Sequence, residues 1–157
     1  MSEHFIRLDG QPYIEWWSER FGLSPEIFTG LCFYQRGRST IWAGVPEVDD
    51  LTGARVEAVG ISLLRIGARF WKPTSTAVII FASTAEHNVI DLEDHEMRRF
   101  LAGSETCLEE TDPRRSRLTN GFVVARLGGV AIGCGEWHHD TLHSCIPKGK
   151  RVLSIDF

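Results

Sequence analysis

Long apolar runs are missing from this chain of 157 residues, and the start of the chain lacks the pattern of an export signal. The longest apolar run covers residues 77–82, whereas a membrane-spanning helix needs about 20 apolar residues. Residues 1–7 do not place an apolar stretch after basic residues, as a signal peptide does. We therefore expect a cytoplasmic protein that makes no membrane contact.

Cysteine is scarce and does not follow a disulfide or metal-binding pattern. The four cysteines are Cys32, Cys107, Cys134 and Cys145, and no two of them have CxxC spacing. In a cytosolic chain we expect them to be reduced and buried. The apolar fraction of 43% is typical of a folded protein. The length accommodates one domain, or two small domains that share a core.

Positive charge is unevenly distributed. The net charge of −4 argues against a protein that coats nucleic acid without selectivity. Residues 113–157, however, contain seven basic and three acidic residues, a local balance of +4. Such a basic region fits contact with one defined RNA element. A solvated surface explains the charges alone equally well.

Residues 1–84 show the pattern of a small α/β unit. An amphipathic helix is predicted over residues 13–21 with Pro12 at its start, and Ser24-Pro25 predicts a second short helix. A hairpin around Gly37 and a strand over residues 56–66 follow. The apolar run at residues 76–82 fits either a helix or a buried strand, because its periodicity does not distinguish them.

Residues 85–157 show a different order of elements. A strand at residues 88–90 precedes a helix over residues 92–102, for which Asp91 is the predicted cap. A polar loop covers residues 105–120. The remaining predicted elements are a hairpin over residues 122–137 that turns at Gly128-Gly129, a turn at residues 138–141 that places Cys134 opposite Cys145, and a last strand at residues 152–157.

Three blocks of sequence carry a resemblance to a known family. The first, residues 59–75, ends in Lys72-Pro73-Thr74-Ser75, and the second covers residues 89–103. The third, residues 121–149, contains Ile132-Gly133-Cys134-Gly135 and Pro147-Lys148-Gly149. Together they resemble the C-terminal pre-PUA and PUA module of the Sun-type RNA cytosine-C5 methyltransferases. They resemble the Nip-type ribosome-assembly factors less closely.

The resemblance implies an α+β fold and an RNA partner. A small pre-PUA α/β domain, residues 1–84, would pack on a PUA-like β pseudobarrel, residues 85–157. The protein would bind structured rRNA or tRNA in RNA modification or ribosome assembly, without catalysis. The expected RNA-binding residues are Arg65, Arg69, Trp71, Lys72, Arg114, Arg115, Arg117, Lys148, Lys150 and Arg151. The alternative is a protein-interaction adaptor that supplies its PUA module to a partner RNA methyltransferase or assembly factor.

The chain lacks the parts that a methyltransferase of this kind needs. No G-x-G-x-x-G element follows a strand, so no nucleotide cofactor is expected. Thr106-Cys107 is similar to a catalytic Thr-Cys pair, but the partner Pro-Cys motif is absent. The acids from Asp91 to Glu96 stand at a predicted helix start, where they interact favourably with the helix dipole. We therefore expect a protein that is not an enzyme.

One cluster of residues has the composition of a zinc site. Its members are Cys134, His138, His139, His143 and Cys145. All are side chains that zinc accepts, and a small metal-dependent hydrolase would use such a site. Their spacing does not match the usual ligand patterns, and a regular hairpin accounts for them without a metal. We expect reduced cysteines without zinc at this place.

Overall fold

The computed structural model describes residues 5–47 and 57–153. Over these ranges the protein is mixed α+β, with two five-stranded sheets and three α-helices. One of the sheets is curled into a half-barrel. Within the described ranges, no helix has the length and apolar character needed to cross a membrane.

The first sheet is an antiparallel meander, in which each strand pairs with the next one along the chain. Its strands are β1 (Phe5–Leu8), β2 (Cys32–Arg36), β3 (Thr40–Gly44), β4 (Ile61–Ile66) and β5 (Trp71–Pro73). The hairpin predicted around Gly37 is confirmed as β2 and β3. The strand predicted over residues 56–66 begins at Ile61, and residue 56 lies outside the described ranges.

Two helices cover this sheet. Helix α1 (Gln11–Phe21) has Pro12 in its first turn, as the sequence predicted, and a 3₁₀ turn capped by Ser24 follows at Pro25–Phe28. The apolar run that fitted helix or strand is a helix, α2 (Ser75–Phe81). The Thr74 hydroxyl accepts a hydrogen bond from the Ala77 amide, at 3.1 Å. This N-cap satisfies a backbone donor that a helix start leaves free, and so favours the helix.

The second sheet is mixed and mainly antiparallel. Its strands are β6 (Val89–Asp91), β7 (Thr106–Cys107), β8 (Gly121–Leu127), β9 (Val130–His138) and β10 (Thr141–Ser144). They lie in the order β6-β8-β9-β10-β7, and only β6 and β8 run parallel. The β8–β9 hairpin turns at Gly128-Gly129, whose φ angles of 54° and 81° suit glycine.

The predicted cap of the third helix was wrong. Helix α3 (Asp94–Leu101) begins after Glu93, and the Glu96 carboxylate accepts a hydrogen bond from the Glu93 amide at 2.9 Å. Asp91 instead ends strand β6, where its carboxylate accepts hydrogen bonds from Arg126 at 2.6 and 3.0 Å. Both acids precede the helix in sequence, and the sheet pairing decides which one caps it.

Two further predictions about residues 85–157 need correction. The polar loop at residues 105–120 contains strand β7 and a 3₁₀ turn, Pro113–Arg117. Val152, the predicted start of a last strand, is not in a strand, and its amide donates to the Leu101 carbonyl at 2.9 Å. Residues 154–157 of that predicted strand lie outside the described ranges.

The second sheet is buried on both faces. Along β8, Val123 and Ala125 pack in one core with Phe100 of α3, whereas Phe122 and Val124 pack in the other. This alternation is the period of two that side chains follow along a strand. The core that contains Phe122 and Val124 also contains Trp17 of α1 and Val78 of α2. The two sheets therefore share a core, and the predicted division near residue 84 does not separate two independent interiors.

Candidate functional site

A groove of about 630 Å³ lies where the two sheets meet. The first half of the chain, residues 1–84, contributes side chains of β3, β4, β5 and the start of α2. The second half, residues 85–157, contributes the segment after β10. Its lining residues include three cations, Arg65, Lys72 and Lys150. Among the described residues that line it there is no carboxylate. The groove therefore has the charge of an anion-binding site.

Arg65 and Lys72 face each other directly across strands β4 and β5. Both are exposed. Opposed residues on antiparallel strands project to the same face, and two like charges in this position destabilise the sheet. An anion between the two side chains would remove this repulsion. The pairing thus favours a ligand with negative charge over a purely structural role.

The second half supplies its cation from a tight turn. After β10 the chain forms a 3₁₀ turn, Lys148–Lys150, in which the Lys150 amide donates to the Pro147 carbonyl at 2.8 Å. The side chains of both lysines are exposed, and Lys150 lines the groove. The corner at Pro147 therefore brings a cation of the second half beside the cations of the first.

Arg151 has a different position from its neighbours. Its Nε donates to the Ile146 carbonyl at 3.2 Å. It also lies against Gly103, where a Cβ atom would come within 2.4 Å of the Arg151 Nε. Arg151 thus fixes the turn to the end of α3, and it is not among the residues that line the groove.

Arg114 is engaged within the protein. Its guanidinium donates to both oxygens of Glu96, at 2.7 and 3.0 Å, and to Asp112 at 2.7 Å. Hydrogen bonds to Asp112 and Glu96 raise the pKa of Arg114 above its usual value. The bond from Arg114 lowers the pKa of Asp112 to about 2. Burial opposes ionisation of Glu96, but bonds from Arg114 and the Glu93 amide outweigh it and lower the pKa of Glu96.

The other predicted basic residues lie in three places. Arg115 forms an ion pair with the exposed Asp140. Arg117 is exposed and lines a separate recess of about 510 Å³ together with Arg20 and Glu19. Arg69 is exposed in the loop between β4 and β5. None of the three is among the described residues that line the groove.

Trp71, one of the expected RNA-binding residues, packs into the first half of the protein. Its ring lies 5.4 Å from the ring of Tyr13 and 6.3 Å from that of Trp16, both on α1. It is half-buried. The aromatic ring that lines the groove is Trp42, on β3. Sequence reasoning missed Trp42 because its position depends on the pairing of Trp42 with Ser62 across β3 and β4.

Hydroxyl groups are a further feature that sequence reasoning missed. The side chains of Ser62, Thr74, Ser75 and Thr76 line the groove beside the cations. Serine and threonine hydroxyls donate hydrogen bonds to phosphate oxygens in protein–nucleic acid complexes. Ser62, Ser75 and Thr76 are the candidates here, since the Thr74 hydroxyl donates to the Ser62 carbonyl. The run Thr74-Ser75-Thr76 was a visible signal, although its approach to Lys150 depends on the packing of the two halves.

The two cysteines of the β9–β10 hairpin are neighbours, as predicted. The Cys145 amide donates to the Cys134 carbonyl at 3.0 Å. His143, from the same predicted cluster, pairs with Glu105 at 3.0 Å. His138 is the last residue of β9 and His139 follows it in the turn, and both are exposed. In the part of the chain that the structure describes, no three potential ligands are grouped to hold a metal.

Comparison with models of protein families gives a match over the first part of the chain. The model of a family of unknown function, DUF7122, matches residues 7–60. This segment runs from β1 to the residue before β4 and covers less than half of the chain. No curated protein matches the chain. The match assigns neither an activity nor a ligand to this protein.

Proposed function

We propose that this protein binds structured RNA, rRNA or tRNA, and does not catalyse a reaction. Residues 1–84 and 85–157 would correspond to a pre-PUA domain and a PUA-like pseudobarrel, and the groove between the two sheets would bind the RNA backbone. The observation that carries the proposal is the direct opposition of Arg65 and Lys72 in a groove with no carboxylate among its described lining residues.

The geometry also selects among the predicted contact residues. Arg65, Lys72 and Lys150 line the groove. Lys148 and Arg69 do not line it, but both are exposed and lie within a few residues of the lining residues in the sequence. Arg114 and Arg151 hold the protein together through their own hydrogen bonds. Exposed cations contribute to phosphate contact, because each one that neutralises a phosphate releases counterions from the nucleic acid.

A salt titration of RNA binding tests the proposal. The double variant Arg65→Ala/Lys72→Ala removes two phosphate contacts, so the slope of log affinity against log salt should become shallower by about two units. Fluorescence anisotropy on tRNA and on rRNA fragments measures it. The matched control, Arg38→Ala/Arg98→Ala, removes two exposed cations that do not line the groove, and its slope should stay near that of the wild type.

The variant Lys150→Ala extends the same experiment to the second half. If RNA lies across both halves, this variant also weakens binding and lowers the slope by about one unit. Equal slopes for the wild type, the double variant and its control, on any RNA that the wild type binds, contradict the proposal. So does an affinity that does not change with salt.

A surface on α2 favours the adaptor role as a second function. Ile79 and Ile80 are 46% and 52% exposed on a helix whose other face packs into the core. Exposed apolar side chains grouped on one element are typical of protein contacts. Co-purification with an RNA methyltransferase after ribonuclease treatment, lost in the variant Ile79→Lys/Ile80→Lys, would support this role. Co-purification that ribonuclease abolishes would contradict it.

A further inference from the structure

The backbone positions of Cys134 and Cys145 are compatible with a cross-strand disulfide. They stand opposite each other one position beyond the last paired residues of β9 and β10, Gly135 and Ser144, and the Cys145 amide donates to the Cys134 carbonyl at 3.0 Å. Directly opposed residues on antiparallel strands have Cα atoms about 4.5–5.5 Å apart. That separation falls inside the range of about 4.4–6.8 Å found for disulfides.

The two thiols have different environments. Cys134 is fully buried in the core that the two sheets share. Cys145 packs against the same core but is partly exposed and lines the groove with Lys72. An oxidant that enters the groove therefore reaches Cys145 first, and Cys134 is beside it and shielded from solvent.

The electrostatics favour ionisation of the exposed member. A hydrogen bond from the Cys134 thiol and the nearby charge of Lys72 lower the pKa of Cys145, although burial opposes them. The bond to Cys145 and burial raise the pKa of Cys134. The thiolate is the reactive form of cysteine. Cys145 is therefore the nucleophile of the pair.

The remaining cysteines lack this arrangement. Cys32 is buried, pairs in register with Gly44 and accepts a hydrogen bond from Arg7 at 3.0 Å. Cys107 is exposed on an edge strand and pairs with Thr141. Neither stands opposite another cysteine in the described sheets. Cys107 is thus a natural internal control, since it is more exposed than Cys145 but has no second thiol across from it.

We propose that Cys145 is a modification site for peroxides and that Cys134 resolves the product to a cross-strand disulfide. The Cys145 thiolate attacks a peroxide oxygen, an S–O bond forms as the O–O bond breaks, and the leaving oxygen takes a proton. The Cys134 sulfur then attacks the resulting sulfenic sulfur, and the S–O bond breaks. The proton of Cys134 leaves with the hydroxyl as water. Two thiols lose two electrons in total, and hydrogen peroxide is reduced to two waters.

The test treats the reduced, purified protein with hydrogen peroxide and counts free thiols after denaturation. The wild type should lose two free thiols, and peptide mapping should show Cys134 linked to Cys145. The variant Cys107→Ser should behave in the same way. The variant Cys145→Ser should lose no thiol at the same dose.

A second measurement keeps the test valid if the buried substitution perturbs folding. In Cys134→Ala, a sulfenic acid trap such as dimedone should label Cys145, and circular dichroism checks that the variant is folded. Oxidation of Cys107 before Cys145 in the wild type, or absence of the linked peptide, would overturn the proposal. The thiol measurements involve no RNA, so their outcome is separate from that of the proposed RNA binding.

Discussion

Arg114 and Arg115 are neighbours in one 3₁₀ turn, yet their side chains have different functions in the structure. Arg114 bridges Glu96, whose side chain is 9% exposed, and Asp112, at 18%. Arg115 pairs with Asp140, whose side chain is 62% exposed. A buried carboxylate that loses its partner is costly, whereas an exposed ion pair contributes little. The two arginines therefore make a matched pair for mutagenesis.

The variant Arg114→Met should lower the free energy of unfolding by about 2–4 kcal/mol, because it leaves the Glu96 carboxylate buried without a cation. Arg115→Met should lower it by less than about 1 kcal/mol. Urea denaturation followed by circular dichroism measures both. Equal destabilisation by the two variants would contradict the structural role of Arg114.

The same network predicts a loss of stability in acid. The folded-state pKa of Asp112 is about 2 and that of Glu96 is lowered. A carboxyl group whose pKa is depressed by folding stabilises the protein above its unfolded pKa, near about 4, and this contribution disappears as pH falls toward the folded value. The urea midpoint of the wild type should therefore fall between about pH 4 and pH 2 more steeply than that of Arg114→Met. Parallel curves would argue against the assignment.

The sequence predicted which basic residues line the groove. It did not predict which of the other basic residues are instead held in ion pairs within the protein. Arg65, Lys72 and Lys150 were expected contact residues, and the fold brings all three to one groove. Arg114 was expected beside them, but its partner Glu96 is 18 residues away in sequence. Tertiary packing makes such a pair, and no local pattern reveals it.

At the start of helix α2, one residue, Thr74, favours a helix over a strand. Its seven residues are too few to be stable alone. The Thr74 hydroxyl accepts from the Ala77 amide at 3.1 Å and donates to the Ser62 carbonyl at 2.5 Å, which joins the helix start to β4. The apolar period of residues 76–82 left helix and strand open, and Thr74, three residues before Ala77, was the local signal that favoured the helix.

Thr74→Ala should therefore destabilise the protein by about 1–2 kcal/mol, since it removes the N-cap and leaves the Ser62 carbonyl without its donor. Thr74→Ser keeps the hydroxyl and should cost well under half as much. Thermal unfolding of both variants gives the comparison. Similar losses for Ala and Ser would show that the methyl group, and not the hydroxyl, accounts for the effect.

The whole molecule is held together by contacts that cross residue 84. Arg20 on α1 donates to the Phe122 carbonyl at 2.8 Å and to the Thr119 hydroxyl at 2.9 Å. Asn88 donates to the Arg20 carbonyl at 2.8 Å and accepts from the Thr119 amide at 2.8 Å. With the shared core, these bonds couple the two halves, although each sheet comes from one half of the sequence.

Equilibrium unfolding should accordingly be a single transition. Trp17 lies in the core shared by both halves, and Trp137 lies in the core under α3. The variants Trp17→Phe and Trp137→Phe each remove one of these probes. After allowance for any change in stability, tryptophan fluorescence and circular dichroism should give coincident urea curves in both. Two separated transitions would show that residues 1–84 and 85–157 unfold independently.

The order of strands in the second sheet has a consequence for synthesis on the ribosome. Its edge strands, β6 and β7, pair with β8 and β10, and the contacts Asp91–Arg126 and Cys107–Thr141 span 35 and 34 residues. At a translation rate of about 5–20 residues per second, β6 waits about 2–7 s for its partner to be made. During that interval its backbone donors and acceptors are open to other chains. The first sheet has a similar interval at its own edge, where Phe5 of β1 pairs with Arg36 of β2, 31 residues later in the chain.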